Sequence, residues 1–324
     1  MSLNALSELR KERALATPAK APVRPSGGRS PRSRTSRTAV PSGPALMRLW
    51  ALHWLAVCRE MPLHGRRLLE RLGNDPAKGI HDFRRLMKAW RSLLKLSPAA
   101  LEQESVQLRA DIKRLRQNFG ATRDAAVVAR TLQELLPGER GRLLEPPPDP
   151  MPPSDTIMSM QTELDRLAAR MEEWSVAGER GGFLLAAFRR SYRKARRAAR
   201  RDPRRMSLKH LHAWRTRIID LGYQLSFFQP ADPAHYKEQV EAAERLRTHL
   251  GAVVDLDLAE RQLAETVATK PLRTVRKKLR RRAGKQRGKA AGMVGDVLDT
   301  RPKAVSAHLA EAMVAHAPRR IRLV

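Results

Sequence analysis

The chain has 324 residues and carries 64 Lys and Arg against 33 Asp and Glu, which gives a formal net charge of +31. A charge excess of this size predicts attraction to polyanions, whether nucleic acid, polyphosphate or an anionic membrane surface. Aromatic residues make up only 4% of the sequence. This scarcity argues against a surface that stacks single-stranded bases on aromatic rings, and it favours recognition of phosphate without recognition of bases.

The single cysteine, Cys58, excludes an internal disulfide framework and a cysteine-based zinc site. We expect it to be a buried thiol on the apolar face of a helix. No apolar run reaches the roughly 18–20 residues that span a bilayer. The first 20 residues lack the apolar core of a signal peptide. The sequence therefore predicts a cytoplasmic protein.

Taken in order, the chain begins with a segment, residues 1–44, that is rich in Pro, Ser, Ala, Arg and Gly. It has too few apolar residues to fold alone and is predicted to be a disordered basic arm. Helical periodicity follows from residue 45 to about residue 316, and residues 317–324 are predicted to be a basic tail. A proline-rich stretch at 145–153 indicates an extended linker or surface loop.

No segment alternates apolar and polar residues as a strand does, so the sequence predicts an all-α fold. One helix is expected from residue 45 and a very basic one from Pro271. The other predicted helices are 81–96, 101–136, 157–174, 183–201, 208–228, 235–266 and 302–314.

The most informative helix is 81–96, because its two faces differ so sharply. Its apolar face carries Phe83, Leu86, Met87, Trp90, Leu93 and Leu94. Its opposite face carries His81, Arg84, Lys88, Arg91 and Lys95, which we call the cationic stripe, with Lys78 and Arg85 at its margin. A charged face is most often merely solvated, but such faces mix signs, and here the only acid is Asp82. Like charges at i, i+3 and i+4 repel one another. The stripe therefore predicts an anionic partner.

An internal repeat relates the two halves of the chain at an offset of 131 residues. Lys78-x-x-His81-x-x-Arg84 matches Lys209-x-x-His212-x-x-Arg215, and Gly120-x-x-x-Asp124 matches Gly251-x-x-x-Asp255. The offset predicts half-repeats of about 45–175 and 176–316 that form two bundles across a pseudo-twofold axis. Two facing basic surfaces would need a polyanion or water between them, so a groove or cavity is expected there.

The second copy of the stripe is shorter than the first. Ile219, Gly222 and Ser226 stand at the positions of Lys88, Arg91 and Lys95. Part of the missing charge is expected from the basic runs at 189–201 or 273–289. The run 273–289 is equally compatible with a cavity wall and with the outer surface.

These residues resemble the CHAD domain (conserved histidine α-helical domain). In that family an amphipathic helix carries His, then Arg three residues on, then basic residues near +7 and +10, as in the segment from His81 to Arg91. A later Gly-x-x-Arg-Asp element is similar to Gly120-Ala-Thr-Arg123-Asp124. The resemblance covers about residues 45–316. The second half and the C-terminal region supply its remaining elements: His212, Arg215, Tyr223, 251–257 and Asp299-Thr-Arg-Pro-Lys303.

The resemblance implies two helical bundles around a basic central cavity, non-catalytic binding of inorganic polyphosphate, and association with polyphosphate granules. The chain lacks the Glu-x-Glu-x-Lys element of a fused triphosphate-tunnel domain, so a stand-alone domain is expected. No cofactor or metal is expected. The candidate polyphosphate-binding residues are Lys78, His81, Arg84, Arg85, Lys88, Arg91, Lys95, Arg123, Arg189, Arg193, Arg196, Arg197, Lys209, His212, Arg215, Arg276 and Arg280.

Two other functions compete with this interpretation. A nucleic-acid-binding protein would use the basic helices and the arm 1–44. A phosphoryl-transfer enzyme would need a glycine-rich phosphate loop, clustered carboxylates for Mg²⁺ or a nucleophile beside a base, and the sequence shows none of these. The oligomeric state stays open.

Overall fold

A computed structural model describes residues 43–119, 128–129, 131–134, 151–264 and 270–318. Residues 1–42 of the basic arm, the Gly120–Asp124 element, residues 145–150 of the proline-rich stretch and the tail from residue 319 lie outside the described residues, whereas the last two residues predicted for the arm, 43–44, belong to the first helix. Within the described ranges every regular element is helical, which confirms the predicted all-α class. None of these helices is both long enough and apolar enough to cross a membrane.

Most helices closely follow the predicted segments, with one short addition, α9, but the segment predicted as 101–136 is not one helix, since α3 ends at Gln117. In chain order they are α1 (Gly43–Glu70), α2 (Pro76–Leu93), α3 (Glu102–Gln117), α4 (Ser154–Glu172), α5 (Gly182–Ala199), α6 (Leu208–Phe228), α7 (Pro233–Ala264), α8 (Lys270–Gly292), α9 (Val294–Leu298) and α10 (Pro302–Ala315). Short 3₁₀ turns at Leu94–Leu96 and Ala99–Leu101 join α2 to α3.

Helix α2 begins where the sequence provides a start signal. Asp75 caps it by accepting a hydrogen bond from the Lys78 amide at 3.1 Å, and Pro76 occupies the first turn. The predicted apolar face, including Phe83, Trp90 and Leu93, is buried in the main core. Cys58 is a free, fully buried thiol in the same core, as expected.

The first half packs α1 against α2 and α4, with α3 on α2. The second half packs α6 between α5 and α7, with α8 on α7. The halves meet where α2 contacts α6, and α10 returns to pack on α1 and α5. Gly181 begins α5 with φ of 77°, and a Cβ there would overlap the Met47 carbonyl oxygen of α1. Only glycine fits this approach.

The arginine of each His-x-x-Arg motif lies close to a later segment of its own half. Arg84 donates to the carbonyl oxygen of Phe119, the residue before the Gly120 element. In the second half, a Cβ on Gly251 would lie 3.4 Å from Arg215 Nε. Both arginines therefore pack inside their own half.

The carboxylate of Asp111 in α3 links that helix to α4. Asp111 is 7% exposed. It accepts hydrogen bonds from Arg170 at 2.8 Å and Arg166 at 3.4 Å, and it also pairs with Arg114. A carboxylate with several guanidinium partners is well compensated for its burial.

Candidate anion-binding site

Helix α2 presents the cationic stripe along one side. His81 is exposed, whereas Arg84, Lys88 and Arg91 are half-buried, as is Lys95 in the 3₁₀ turn that follows. Water screens half-buried charges less than fully exposed ones. The charges of Arg84, Lys88, Arg91 and Lys95 are therefore screened less than those of a fully exposed helix face.

Arg91 is the least compensated cation of the stripe. Its Nε atom is buried and has no hydrogen-bond partner among the described residues. Burial lowers the pKa of Arg91, and the positive charges of Arg116 and Arg109 lower it further, while Asp220 opposes them. Three guanidinium groups thus lie near Asp220, and one of them, Arg109, also pairs with Glu102 at 3.7 Å. A donor left without an acceptor and surrounded by like charge is a site that an anion would stabilise.

Helices α2 and α6 are joined by buried polar contacts at their crossing. Ser92 Oγ donates to the Asp220 carbonyl oxygen at 2.7 Å. Gln224 Nε2 donates to the Ser92 carbonyl oxygen at 3.0 Å. The Asp220 carboxylate pairs with Lys95. Direct contact is possible here because α6 has no cations at this end.

The short second stripe has a packing cause. Gly222 and Ser226 are buried, and Ser226 Oγ donates back to the Gly222 carbonyl oxygen at 3.0 Å. A Cβ on Gly222 would lie 3.8 Å from Ala243 Cβ of α7. A long cationic side chain at position 222 would therefore meet α7.

Arg85 reaches a tyrosine of the second half instead of solvent. Tyr223 is 6% exposed. Burial raises the pKa of Tyr223, and the charges of Arg85 and Arg247 together with a hydrogen bond from Arg85 oppose that rise. Arg247 is itself bonded to Glu244 at 2.8 Å. Arg85 thus lies in the contact between the two halves.

The other candidate residues fall into separate groups. Lys209 and His212 are exposed and Arg215 is half-buried on the first turns of α6. Lys78 is exposed at the start of α2. Arg123 lies outside the described residues. The structure thus places the first-half stripe and the second-half motif on two helices that contact each other, α2 and α6.

Several cations have protein partners. Arg196 donates to the carbonyl oxygens of Leu298 at 2.9 Å and Asp299 at 3.3 Å, so it holds the segment between α9 and α10. Arg276 and Arg280 of α8 both pair with Glu260, at 3.7 and 2.5 Å.

A cleft of about 1070 Å³ lies between α5, α6 and the turns that follow α2. Arg197 and Lys95 are the candidates that line it, whereas Arg189 and Arg193 are exposed elsewhere on α5. Four further cations of this lining, Arg109, Arg190, Lys194 and Arg217, are not among the individual candidates, although Arg190 and Lys194 lie in the basic run 189–201. Three cleft residues, Arg190, Lys194 and Arg197, are spaced at i, i+4 and i+7, so helical periodicity alone gives a signal for them.

Catalytic and metal chemistry find no support in the same region. Among the described residues no group of three or more His, Cys, Asp or Glu side chains is arranged to hold a metal ion. The acids beside the cations, Asp220 and Glu102, each pair with a cation. The arrangement of cations can hold an anion.

The fold and these cations define an all-α protein with a row of cations on α2, the helix through which its first half contacts α6 of the second half. The model of the CHAD domain family matches residues 61–264, which are 204 of the 324 residues and include both His-x-x-Arg motifs. The chain belongs to the CHAD domain family. Comparison with curated proteins finds no match.

Proposed function

We propose that this protein binds inorganic polyphosphate without transforming it, and that it associates with polyphosphate granules. The observation that carries the proposal is Arg91, a half-buried guanidinium with an unsatisfied Nε beside Arg109 and Arg116. A folded chain that keeps three guanidinium groups close together, while the nearby acids Asp220 and Glu102 each already pair with a cation, favours a ligand that brings negative charge and hydrogen-bond acceptors.

Membership of the CHAD family supports the same ligand, because the family is known for polyphosphate binding. Polyphosphate has repeated anionic oxygens and no bases. Arginine forks bind such oxygens in pairs, and lysine adds a mobile point charge. His81 and His212 add ring N–H groups as further hydrogen-bond donors. The stripe from His81 to Lys95 would run along about 20 Å of an extended ligand, at 1.5 Å per helical residue.

The test compares two sets of charge removals. Lys88→Ala with Arg91→Ala removes two stripe cations, and the control Arg48→Ala with Arg67→Ala removes two exposed cations of α1. Isothermal titration with long-chain polyphosphate should show a loss of about 100-fold for the stripe variant, since each charged hydrogen bond contributes about 1.5 kcal/mol or more.

The control pair should change the affinity far less, and circular dichroism should show unchanged helicity in both variants. A third variant, with Arg29, Arg32, Arg34 and Arg37 replaced by Ala, removes charge from the arm. If this arm variant loses more affinity than the stripe variant, the proposed site is wrong.

Nucleic-acid binding is the second candidate, and helix α8 favours it. Its described outer side chains include the exposed cations Arg273, Lys277, Lys278, Arg281 and Lys285, and the helix sequence contains no acid. Unpaired cations along an exposed helix suit the phosphate backbone of a duplex. Lys277→Ala with Arg281→Ala should weaken duplex DNA binding in a gel-shift titration and leave polyphosphate affinity nearly unchanged. Equal losses for both ligands would mean that they share one surface.

A further inference from the structure

The cleft between α5 and α6 contains cations that the protein itself leaves uncompensated. Among the described residues, Arg190, Lys194 and Arg197 of α5 and Arg217 of α6 have no ion pair and no side-chain hydrogen bond. All four are exposed. The α5 cations are spaced at i, i+4 and i+7, so they repel one another in the absence of an anion.

The acids in this cleft do not neutralise those cations. Glu102 pairs with Arg109 at 3.7 Å, and Asp220 pairs with Lys95. Both pairs lie on the side of the cleft nearest α2. The opposite wall, formed by α5, carries only positive charge among its ionisable lining residues.

The cleft continues directly from the cationic stripe. Lys95 is the last residue of the stripe and a lining residue of the cleft. Arg109 and Asp220 also line the cleft, and both act electrostatically on Arg91, the preceding stripe residue. A chain that leaves Arg91 therefore meets the cleft at Lys95 and Arg109, beside the Asp220 carboxylate that pairs with Lys95.

A second, smaller cavity of about 260 Å³ extends the cleft along α5. It shares Arg197, Ala213 and Arg217 with the large cleft and adds Arg201 and His210. The shared residues place the two cavities next to each other, and we call them together the α5–α6 groove. An extended ligand fits this shape better than a compact one.

The groove walls indicate which kind of polyanion it suits. Phe183 is the one aromatic residue of the described lining, and the others near it are small, such as Ala186, Ala187 and Ala213. Single-stranded nucleic acid is held by stacking on several aromatic rings. The groove lacks such a platform and offers guanidinium and ammonium groups instead.

We propose that the α5–α6 groove is a second binding segment for the same condensed-phosphate chain that binds the stripe. This inference rests on the proposed function and deepens it, because a ligand long enough to occupy both segments binds more tightly than a short one. Tripolyphosphate occupies one segment at a time, whereas long-chain polyphosphate bridges the stripe and the groove. The gain arises because the second segment binds a chain that is already held by the first.

The test uses two double variants of α5 with equal charge and equal spacing. Arg190→Ala with Lys194→Ala removes two groove cations, and Arg189→Ala with Arg193→Ala removes two exposed cations outside the groove lining. Each variant of the full chain is titrated with tripolyphosphate and with long-chain polyphosphate. All four side chains are exposed, and thermal unfolding checks that both variants keep the native fold.

The groove variant should lose at least about tenfold in affinity for long-chain polyphosphate and less than about twofold for tripolyphosphate. Its slope of log affinity against log salt for the long chain should fall by about 1.4, at about 0.7 for each lost phosphate contact. The pair at 189 and 193 should lose less on the long chain than the groove pair does.

Two results would overturn the inference while leaving the proposed function intact. One is wild-type affinity of the groove variant for the long chain. The other is an equal loss for both double variants, which would mean that general charge and not the groove matters. Failure of the wild-type protein to bind long-chain polyphosphate at all would instead overturn the proposed function itself.

Discussion

Lys95 and Asp220 form an ion pair across the contact between α2 and α6, at the point where the cationic stripe meets the α5–α6 groove. Their side chains are 28% and 14% exposed, so the pair is only partly screened by water. Asp220 is also the acid that counters the charges of Arg116 and Arg109 at Arg91. One carboxylate therefore limits the positive potential at the centre of the proposed site.

Replacing this carboxylate should strengthen ligand binding. Asp220→Asn keeps the shape of the side chain, frees Lys95 and removes the negative charge beside Arg91. We expect polyphosphate affinity to rise several-fold, on the order of 1 kcal/mol, and stability to fall by a similar amount. Titration calorimetry and chemical denaturation measure the two effects.

The matched control is Asp165→Asn, which changes the net charge equally at the surface pair between Asp165 and Arg66. An equal gain in affinity for both variants would show that the net charge matters and that the position of Asp220 does not.

We expect Arg91 to strengthen polyphosphate binding without stabilising the folded protein. Arg91→Met keeps an unbranched stem and removes a partly desolvated cation that repels Arg116 and Arg109. We expect an unchanged or higher melting temperature without ligand. Long-chain polyphosphate should raise the melting temperature of the wild type more than that of the variant, because stabilisation follows affinity. A fall of several degrees without ligand would instead identify Arg91 as a structural residue.

Much of the fold could be predicted from local sequence signals. The Asp75-Pro76 start, the buried face around Trp90 and the span of α6 are set by capping and by helical periodicity, which act within one helix. The short helix α9, Val294–Leu298, was not predicted, since five residues give too few turns for a periodic pattern.

The residues of the candidate site were harder to predict, because two different faces of α5 carry cations at helical spacing. Arg189, Arg193 and Arg196 follow one another at helical spacing, and so do Arg190, Lys194 and Arg197. Helical periodicity alone does not indicate which of these two sets lines the groove. Packing does so, since it turns Arg196 towards the Leu298 carbonyl and places the second set in the groove. Such an outcome depends on residues about 100 positions away in the chain.

Substitutions of Gly222 test whether α6 can carry a cationic stripe as long as that of α2. Gly222→Ala adds a Cβ at ordinary contact distance from Ala243, so it should stabilise the protein by up to about 1 kcal/mol through helix propensity. Gly222→Arg should cost about 1–3 kcal/mol, because the side chain is forced against α7.

Chemical denaturation measures both variants, and polyphosphate titration should show no gain for Gly222→Arg. Tighter binding by that variant would mean that position 222 opens onto the ligand, and the packing explanation for the short second stripe would be wrong.

We expect Asp111 to contribute to the stability of the fold and not to polyphosphate binding. Asp111→Asn leaves Arg170, Arg166 and Arg114 without their shared carboxylate, so the α3–α4 contact should weaken by about 2 kcal/mol. Polyphosphate affinity of the folded variant should stay near that of the wild type. Urea denaturation together with titration below the unfolding transition gives both values, and a large loss of affinity would contradict the separation.

The most direct test of the central claim is a competition between two polyanions. The full chain is titrated with long-chain polyphosphate and with duplex DNA of equal total charge, at about 0.3 M salt, where non-specific attraction is largely suppressed. The account predicts that polyphosphate binds far more tightly and displaces the duplex. Equal affinities, or tighter binding of the duplex, would contradict it.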